Sequence, residues 1–386
     1  MPSQRAYLDW NASAPLLPAA RAAMLAVLDL TGNASSVHAE GRALRQAIEN
    51  ARHSVARLTG AQSGHVFFTS GATEAASTLL TPAWRMGRSR LTIGHLFVCA
   101  ADHPCLLTGG RFPAHMTTQI GVDADGLIDL TALEPALANH DISAGPPLVA
   151  IHLANNETGV IQPAREIAAM VKRHGGVLVV DAVQAAGRIP LDISVLSADF
   201  LILSSHKIGG PKGAGAVVAR ADLMMPEPLV SGGGQEKGHR AGTENVAAIS
   251  GFGAAAAEAL AALSSIETQR AKRDRIEQIV LHAAPNAVIY GAGAPRLANT
   301  SFFALPQIKA ETAQIAFDLA GVAVSAGSAC SSGKVGPSHV LKAMGFGDSA
   351  GALRVSIGPA TTDAEIAMFA DALNRLLART RPKAVA

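Results

Sequence analysis

Aromatic side chains make up only 4% of this 386-residue chain and charged ones only 16%, and there are just three cysteines, Cys99, Cys105 and Cys330. These shortages narrow the field of function. With so few aromatics, a formal net charge of +2 and no lysine/arginine run, the chain offers neither a base-stacking platform nor a phosphate-tracking groove, so nucleic acid is not an expected partner. No CxxC pair and no histidine/cysteine cluster at ligand spacing occurs, which argues against zinc or another metal and against structural disulfides. Residues 1–10 lack the apolar core of a secretion signal, and the alanine-rich segments carry too many charges for a membrane span. The expectation is a cytoplasmic protein that does not engage membranes. There is no fixed-period repeat and no low-complexity linker.

What remains is 49% hydrophobic and long enough for two packed domains. Between about residues 64 and 220, apolar runs alternate with helical patterns: Val66–Phe68, Leu96–Val98, Leu148–Ile151, Val177–Val180, Phe200–Leu203 and Ala216–Val218. That alternation predicts an α/β fold with a mostly parallel central sheet flanked by helices, including helices over 74–85 and 164–174. A long alanine-rich helix is expected over 253–283, then a smaller α+β unit with a strand over 299–305 and a helix from Ala310. The division expected is 15–252 for the large domain, with 1–14 and 253–386 forming the small one. In an open sheet of this kind ligands gather beyond the carboxyl ends of the strands, where the polar groups of five runs fall.

Lys207 ends Ser204-Ser205-His206-Lys207, after a buried run and before glycines that let a ligand approach the backbone. It reads as an imine-forming lysine, with Ser204 and His206 as phosphate donors and pyridoxal phosphate as the cofactor. The turn Gly71-Ala72-Thr73-Glu74 opens a helix whose positive end suits a phosphate, although Thr73 is equally an ordinary cap. Asp181 follows four apolar strand residues, where a carboxylate needs a cationic partner such as a protonated pyridine nitrogen, or else caps the next turn. Gln184 then suits the ring hydroxyl. His103 follows a strand and is positioned to stack on a flat ring and move protons, a structural histidine being the alternative. Asn155 suits the cofactor or a substrate carboxylate. Arg354 fits a carboxylate clamp or an edge-strand salt bridge. Cys330 lies in a run of small residues, 325–333, that reads as a mobile loop carrying a reactive thiol. The glycine-rich stretch 232–243 reads as a long functional loop or a disordered one, with Thr243 as a further phosphate contact.

In their order and spacing these residues resemble the cysteine desulfurases of the class V aminotransferase family, among the fold-type-I pyridoxal phosphate enzymes. The likeness starts at Tyr7–Pro15 and Gly32–His38 and continues through Ser70–Glu74, Asn155–Gly159, Asp181–Gln184, Ser204–Lys207, 232–243 and Ser328–Cys330. It departs at Gly209, where an aromatic residue is usual, and at Cys105, where alanine is usual. The resemblance implies a homodimer that holds the cofactor on Lys207, with Asp181 on the ring nitrogen, Gln184 on the ring hydroxyl and His103 stacked above. It further implies phosphate held by Ala72, Thr73, Ser204 and His206 with Thr243 from the partner subunit, and substrate carboxylate received by Arg354, Asn155 and Asn33. The implied reaction takes sulfur from L-cysteine onto Cys330 as a persulfide, releases L-alanine, and passes sulfur to an acceptor such as an iron–sulfur scaffold. A selenocysteine lyase or another class V aminotransferase is the nearest alternative, and a non-catalytic scaffold-binding protein is an alternative of another class.

Overall fold

A computed structural model describes residues 5–305, 307–326, 337–347 and 351–380. Seven strands build the central sheet: β1 (Val66–Thr69), β2 (His95–Cys99), β3 (Thr117–Ile120), β4 (Pro147–His152), β5 (Val177–Asp181), β6 (Phe200–Ser204) and β7 (Gly215–Ala219). Their order is β1-β7-β6-β5-β4-β2-β3, and β7 alone runs against the others. Six of these are the apolar runs of the sequence. They read as continuous apolar segments because both faces of the sheet are covered, so β4, β5, β6 and β7 are buried along their whole length. The seventh, β3, escapes a hydrophobicity reading because Thr117-Thr118-Gln119 sits at the sheet edge, where polar side chains remain partly solvated.

Two expectations for helices change. The helix expected over 74–85 is α3 (Ala72–Leu79), and Ala83–Met86 is instead a strand that pairs with Ser89–Thr92 and Met224–Pro226. Pro82 explains the stop, since the residue before a proline is driven out of the helical region and the ring removes a helical donor. The long helix is two helices, Val246–Ala262 and Ile266–Ala283, joined by a 3-10 turn at Leu263–Ser265. This stretch is long and apolar enough to cross a membrane by composition. Its first half instead packs on α1 (Pro18–Leu28) and α2 (Ala39–Leu58), burying Phe252, Ala255 and Ala256.

A second sheet has the order Val288–Ile289, Thr300–Ala304, Leu353–Ser356, Ser325–Ala326, and its core joins Ala6 and Leu8 to Phe303, Phe317 and Phe369. The start of the chain is thus tied to its end, with Ala6–Tyr7 paired parallel to Val322–Ala323. The boundary expected at 252/253 falls inside the helix Val246–Ala262, whose Phe252, Ala256 and Ala259 all belong to the core of the large sheet.

Candidate active site

The carboxyl ends of β1, β2, β4, β5 and β6 open on one cavity of about 530 Å³. It is lined by Ala72 and Thr73 after β1, His103 and Cys105 after β2, His152 and Asn156 at and after β4, Asp181 and Gln184 at and after β5, and Ser204, His206 and Lys207 at and after β6. Lys212 and the segment Ala12-Ser13 complete the wall. Gly215, at the start of β7, lets α3 dock close to the sheet, because a Cβ there would lie 2.6 Å from the carbonyl carbon of Gly71.

The residues present fit pyridoxal phosphate at both ends. At one end, Asp181 is only 7% exposed and forms no ion pair among the described residues, while its Oδ1 accepts the Val183 amide at 2.9 Å. Burial pushes its carboxyl up to about 6, against the Val183 amide. A buried carboxyl that faces the cavity and forms no ion pair among the described residues suits a pyridine nitrogen. At the other end, no side chain caps the first turn of α3, whose N-cap is Gly71, so Thr73 lies inside the helix and does not cap it. Those amides, with Ser204, His206 and Lys212 nearby, form the donor set a phosphate needs.

Lys207 ends a 3-10 turn, Ser205–Lys207, and its Nζ donates to the carbonyls of Asn11 at 2.7 Å and Ala12 at 2.9 Å. Gln184 Nε2 donates to the same Asn11 carbonyl at 3.0 Å. Asn11 is fully buried and joins four parts of the chain: its amide donates to Ser356 Oγ, its Nδ2 to the Asn156 carbonyl and to Thr300 Oγ1, and its Oδ1 accepts from Asn299. Behind it Arg188 donates to the Gln184 carbonyl at 2.9 Å, to Gln184 Oε1 and to the Lys207 carbonyl at 3.3 Å. Burial and the neighbouring Arg354 charge pull the Arg188 guanidinium down to about 9.

His103 caps the short helix Pro104–Leu107, and its Nδ1 accepts the Cys105 amide at 3.2 Å. Burial, with the charges of Lys207 and His339, pulls the imidazole down to about 4, so it is neutral at pH 7 with its proton on Nε2. His206 is likewise held near 4 by burial and by Lys207, Lys212 and Arg188, and its Nδ1 lies 3.3 Å from Ser13 Oγ. Lys212 and His152 on the cavity wall, and Asn11 and Arg188 behind it, are positions that the sequence reading did not single out. His152 was findable, since a polar residue ending an apolar strand is the same pattern that marks Asp181. Asn11 was not, because all its partners are distant in sequence.

Four expected residues lie off the cavity wall. Asn155 holds its own turn: Nδ2 donates to the Ala101 carbonyl at 2.9 Å, and Oδ1 accepts the Glu157 and Thr158 amides at 2.9 and 3.0 Å. Arg354 sits on an inner strand of the small sheet, not an edge, and is 2% exposed, donating to Asp9 Oδ1 at 2.8 Å and to the Asn156 carbonyl at 2.9 Å. Thr243 is exposed and lines a separate space of about 190 Å³ that shares Ser70 and Gly213 with the main cavity. Asn33 is exposed, with Oδ1 accepting the Ser35 amide. Cys330 lies outside the described residues. The stretch 232–243 is anchored by Glu236, which bonds Arg52 and accepts the Phe68 amide at 2.8 Å, and by Arg240, which pairs with Glu74 at 3.0 Å.

Glu157 is buried beside Arg354, and Ser338 donates to its Oε2. Burial raises its carboxyl from 4.5 to about 7, although Ser338 and Arg354 pull the other way. Between those two values the folded chain holds a proton that the unfolded chain has lost, so this stability is present at low pH and disappears as pH rises through about 7. Glu157→Gln should therefore gain about 2 to 3 kcal/mol on the wild type between pH 5 and pH 8. Urea unfolding at the two pH values measures it, and an unchanged gap refutes it.

The sequence profile of the family described as aminotransferase class-V matches residues 6–369. A cysteine desulfurase of Cereibacter sphaeroides is 39% identical over 388 residues, covering 98% of this chain and 97% of its own. The IscS-like cysteine desulfurase of Mycobacterium tuberculosis is 36% identical, covering 99% and 98%. The NifS-like protein from Rickettsia africae superposes with a TM-score of 0.85 at 32% identity, over 97% of this chain and 99% of that one. A cavity built at five strand ends, inside a chain matched along nearly its whole length, makes the protein a member of the class-V aminotransferase family.

Proposed function

We propose that this protein is a pyridoxal-phosphate-dependent cysteine desulfurase, converting L-cysteine to L-alanine with the sulfur retained as a persulfide on Cys330. One observation carries the reading: Lys207, Asp181 and His103 line a single cavity beside an uncapped helix start. Pyridoxal phosphate, when bound, supplies an electron sink for a carbanion at the substrate α-carbon. Asp181 would hold its ring nitrogen, Gln184 its ring hydroxyl, and Ala72, Thr73, Ser204 and His206 its phosphate, with Lys207 bonded to its aldehyde.

Lys207 is the residue assigned to move the α-proton. His103 is neutral but its Nδ1 is occupied by the Cys105 amide, so it suits stacking and donation from Nε2 better than proton abstraction. Arg354 would exchange the Asp9 carboxylate for that of the substrate, one bidentate-capable anion for another. Asn155 and Asn33 are assigned to the same carboxylate, Asn155 by orienting the Ala101 corner. The assembly proposed is a cytoplasmic homodimer of two-domain subunits, Thr243 reaching the phosphate of the partner's site, with sulfur passed to an acceptor such as an iron–sulfur scaffold.

The test is to incubate the cofactor-loaded protein with L-cysteine, assay alanine, and weigh the Cys330 peptide. Alanine together with one added sulfur on that peptide is the expected result. Alanine formed with Cys330 unmodified throughout the time course overturns the persulfide and favours a selenocysteine lyase, whereas no alanine, with the amino group passed to an added keto acid, favours an aminotransferase.

A further inference from the structure

Asp102 and His152 form a buried pair beneath the cavity that the mechanism above does not use. The His152 ring ends β4, lines the cavity, and stands in register with Asp181 on β5. Its Nδ1 lies 2.6 Å from Asp102 Oδ1, and its Nε2 lies 3.1 Å from Gln162 Nε2. The orientation of Gln162 follows from its other partners, since its Oε1 accepts the Ile128 amide at 2.9 Å and its Nε2 donates to the Gly126 carbonyl at 2.8 Å. The amide therefore donates to His152 Nε2, which must be bare, and the ring proton sits on Nδ1 and points at Asp102. The Asp102 carboxylate accepts two further bonds, from the His152 amide at 2.8 Å and the Cys99 amide at 2.8 Å. It thus ties the end of β2 to the end of β4, one residue before His103. Cys99, Asp102 and His152 cluster like metal ligands, but the two polar members already satisfy one another.

We propose that His152 is a positioning residue: locked in one tautomer by Gln162, it holds Asp102 and through it fixes the corner that carries His103 against the cavity. The role deepens the cysteine desulfurase reading and rests on it for its kinetic consequence. A displacement of about an ångström at a stacking group costs roughly 10-fold to 100-fold in turnover. Replacing His152 by leucine removes the side-chain donor to Asp102 and leaves the two backbone amides, whereas asparagine offers an amide in nearly the position of Nδ1.

The experiment pairs kinetics with spectroscopy. In cofactor-loaded protein, His152→Leu should lower kcat for alanine formation by roughly 10-fold or more with KM nearly unchanged, and His152→Asn should recover most of it. Equal kcat in the two variants, or a fall in Tm with kcat intact, overturns the proposal. Nitrogen-15 spectra of the histidine rings give a reading that does not need turnover: the signal lost in His152→Asn should belong to a neutral ring protonated at Nδ1. An Nε2-protonated or charged ring overturns the proposal, even if His152→Leu fails to fold. Wild-type protein that makes no alanine but shows the Nδ1-protonated ring would sink the desulfurase reading and leave the His152 lock standing.

Discussion

Lys207→Ala should abolish alanine formation from L-cysteine while leaving the fold intact. Its Nζ donates to two carbonyls of the N-terminal segment, and such neutral partners contribute about 1 kcal/mol each to stability. The backbone role of the residue, accepting from Arg188 and closing the 3-10 turn, survives the substitution. What disappears, under the proposed function, is both the amine that would bond the cofactor aldehyde and the base for the α-proton. Proton transfer by a positioned group alone contributes roughly 10²- to 10⁴-fold, so with the covalent role also lost the rate should fall by at least about 10⁴-fold. The yellow absorbance of the lysine-bound cofactor should vanish with it. Thermal unfolding within a few degrees of wild type, together with the lost absorbance, is the expected pattern. Retained turnover would remove Lys207 from the chemistry.

Cys330→Ala should be nearly as damaging, and the other two thiols make the comparison decisive. Cys99 is fully buried, and burial with the nearby Asp102 raises its thiol well above the usual range, so it is not a nucleophile. Cys105 is the thiol that needs an experiment, because it lines the cavity at 6% exposure. It is held in the helix Pro104–Leu107 with its amide bonded to His103, a fixed place on the cavity wall that suits sulfur transfer to another protein less well than a loop does. Cys330→Ala should therefore cut alanine formation by roughly 10³-fold, about 4 kcal/mol of barrier, whereas Cys105→Ala should keep activity within a few-fold. The reverse ranking would move the sulfur acceptor to Cys105 and overturn the assignment.

The sheet was legible because a strand covered on both faces is apolar throughout, which makes β4, β5, β6 and β7 visible as runs without any alternation. Polar residues at the ends of those runs then mark the cavity, and Lys207, Asp181, His103, Ser204 and His206 all line it. The edge strand β3 and the strand Ala83–Met86 were hidden, the first by its polar side chains and the second by a helical pattern that Pro82 interrupts. Arg354 illustrates a different limit: its strand was readable, but its bond to Asp9 spans 345 residues.

By itself the sequence determined the α/β class, the strand ends at which the cavity opens, and the lysine and aspartate that suit a pyridine cofactor, since each depends on residues close together along the chain. Only the tertiary structure decided what surrounds them. That Lys207 and Gln184 share the Asn11 carbonyl, that His103 is neutral with its Nδ1 occupied, and that Asp102 is gripped by His152 all follow from contacts between distant segments and from burial. Local pattern sets which groups reach the cavity, whereas their protonation and orientation depend on desolvation and on hydrogen-bond partners that only folding brings near.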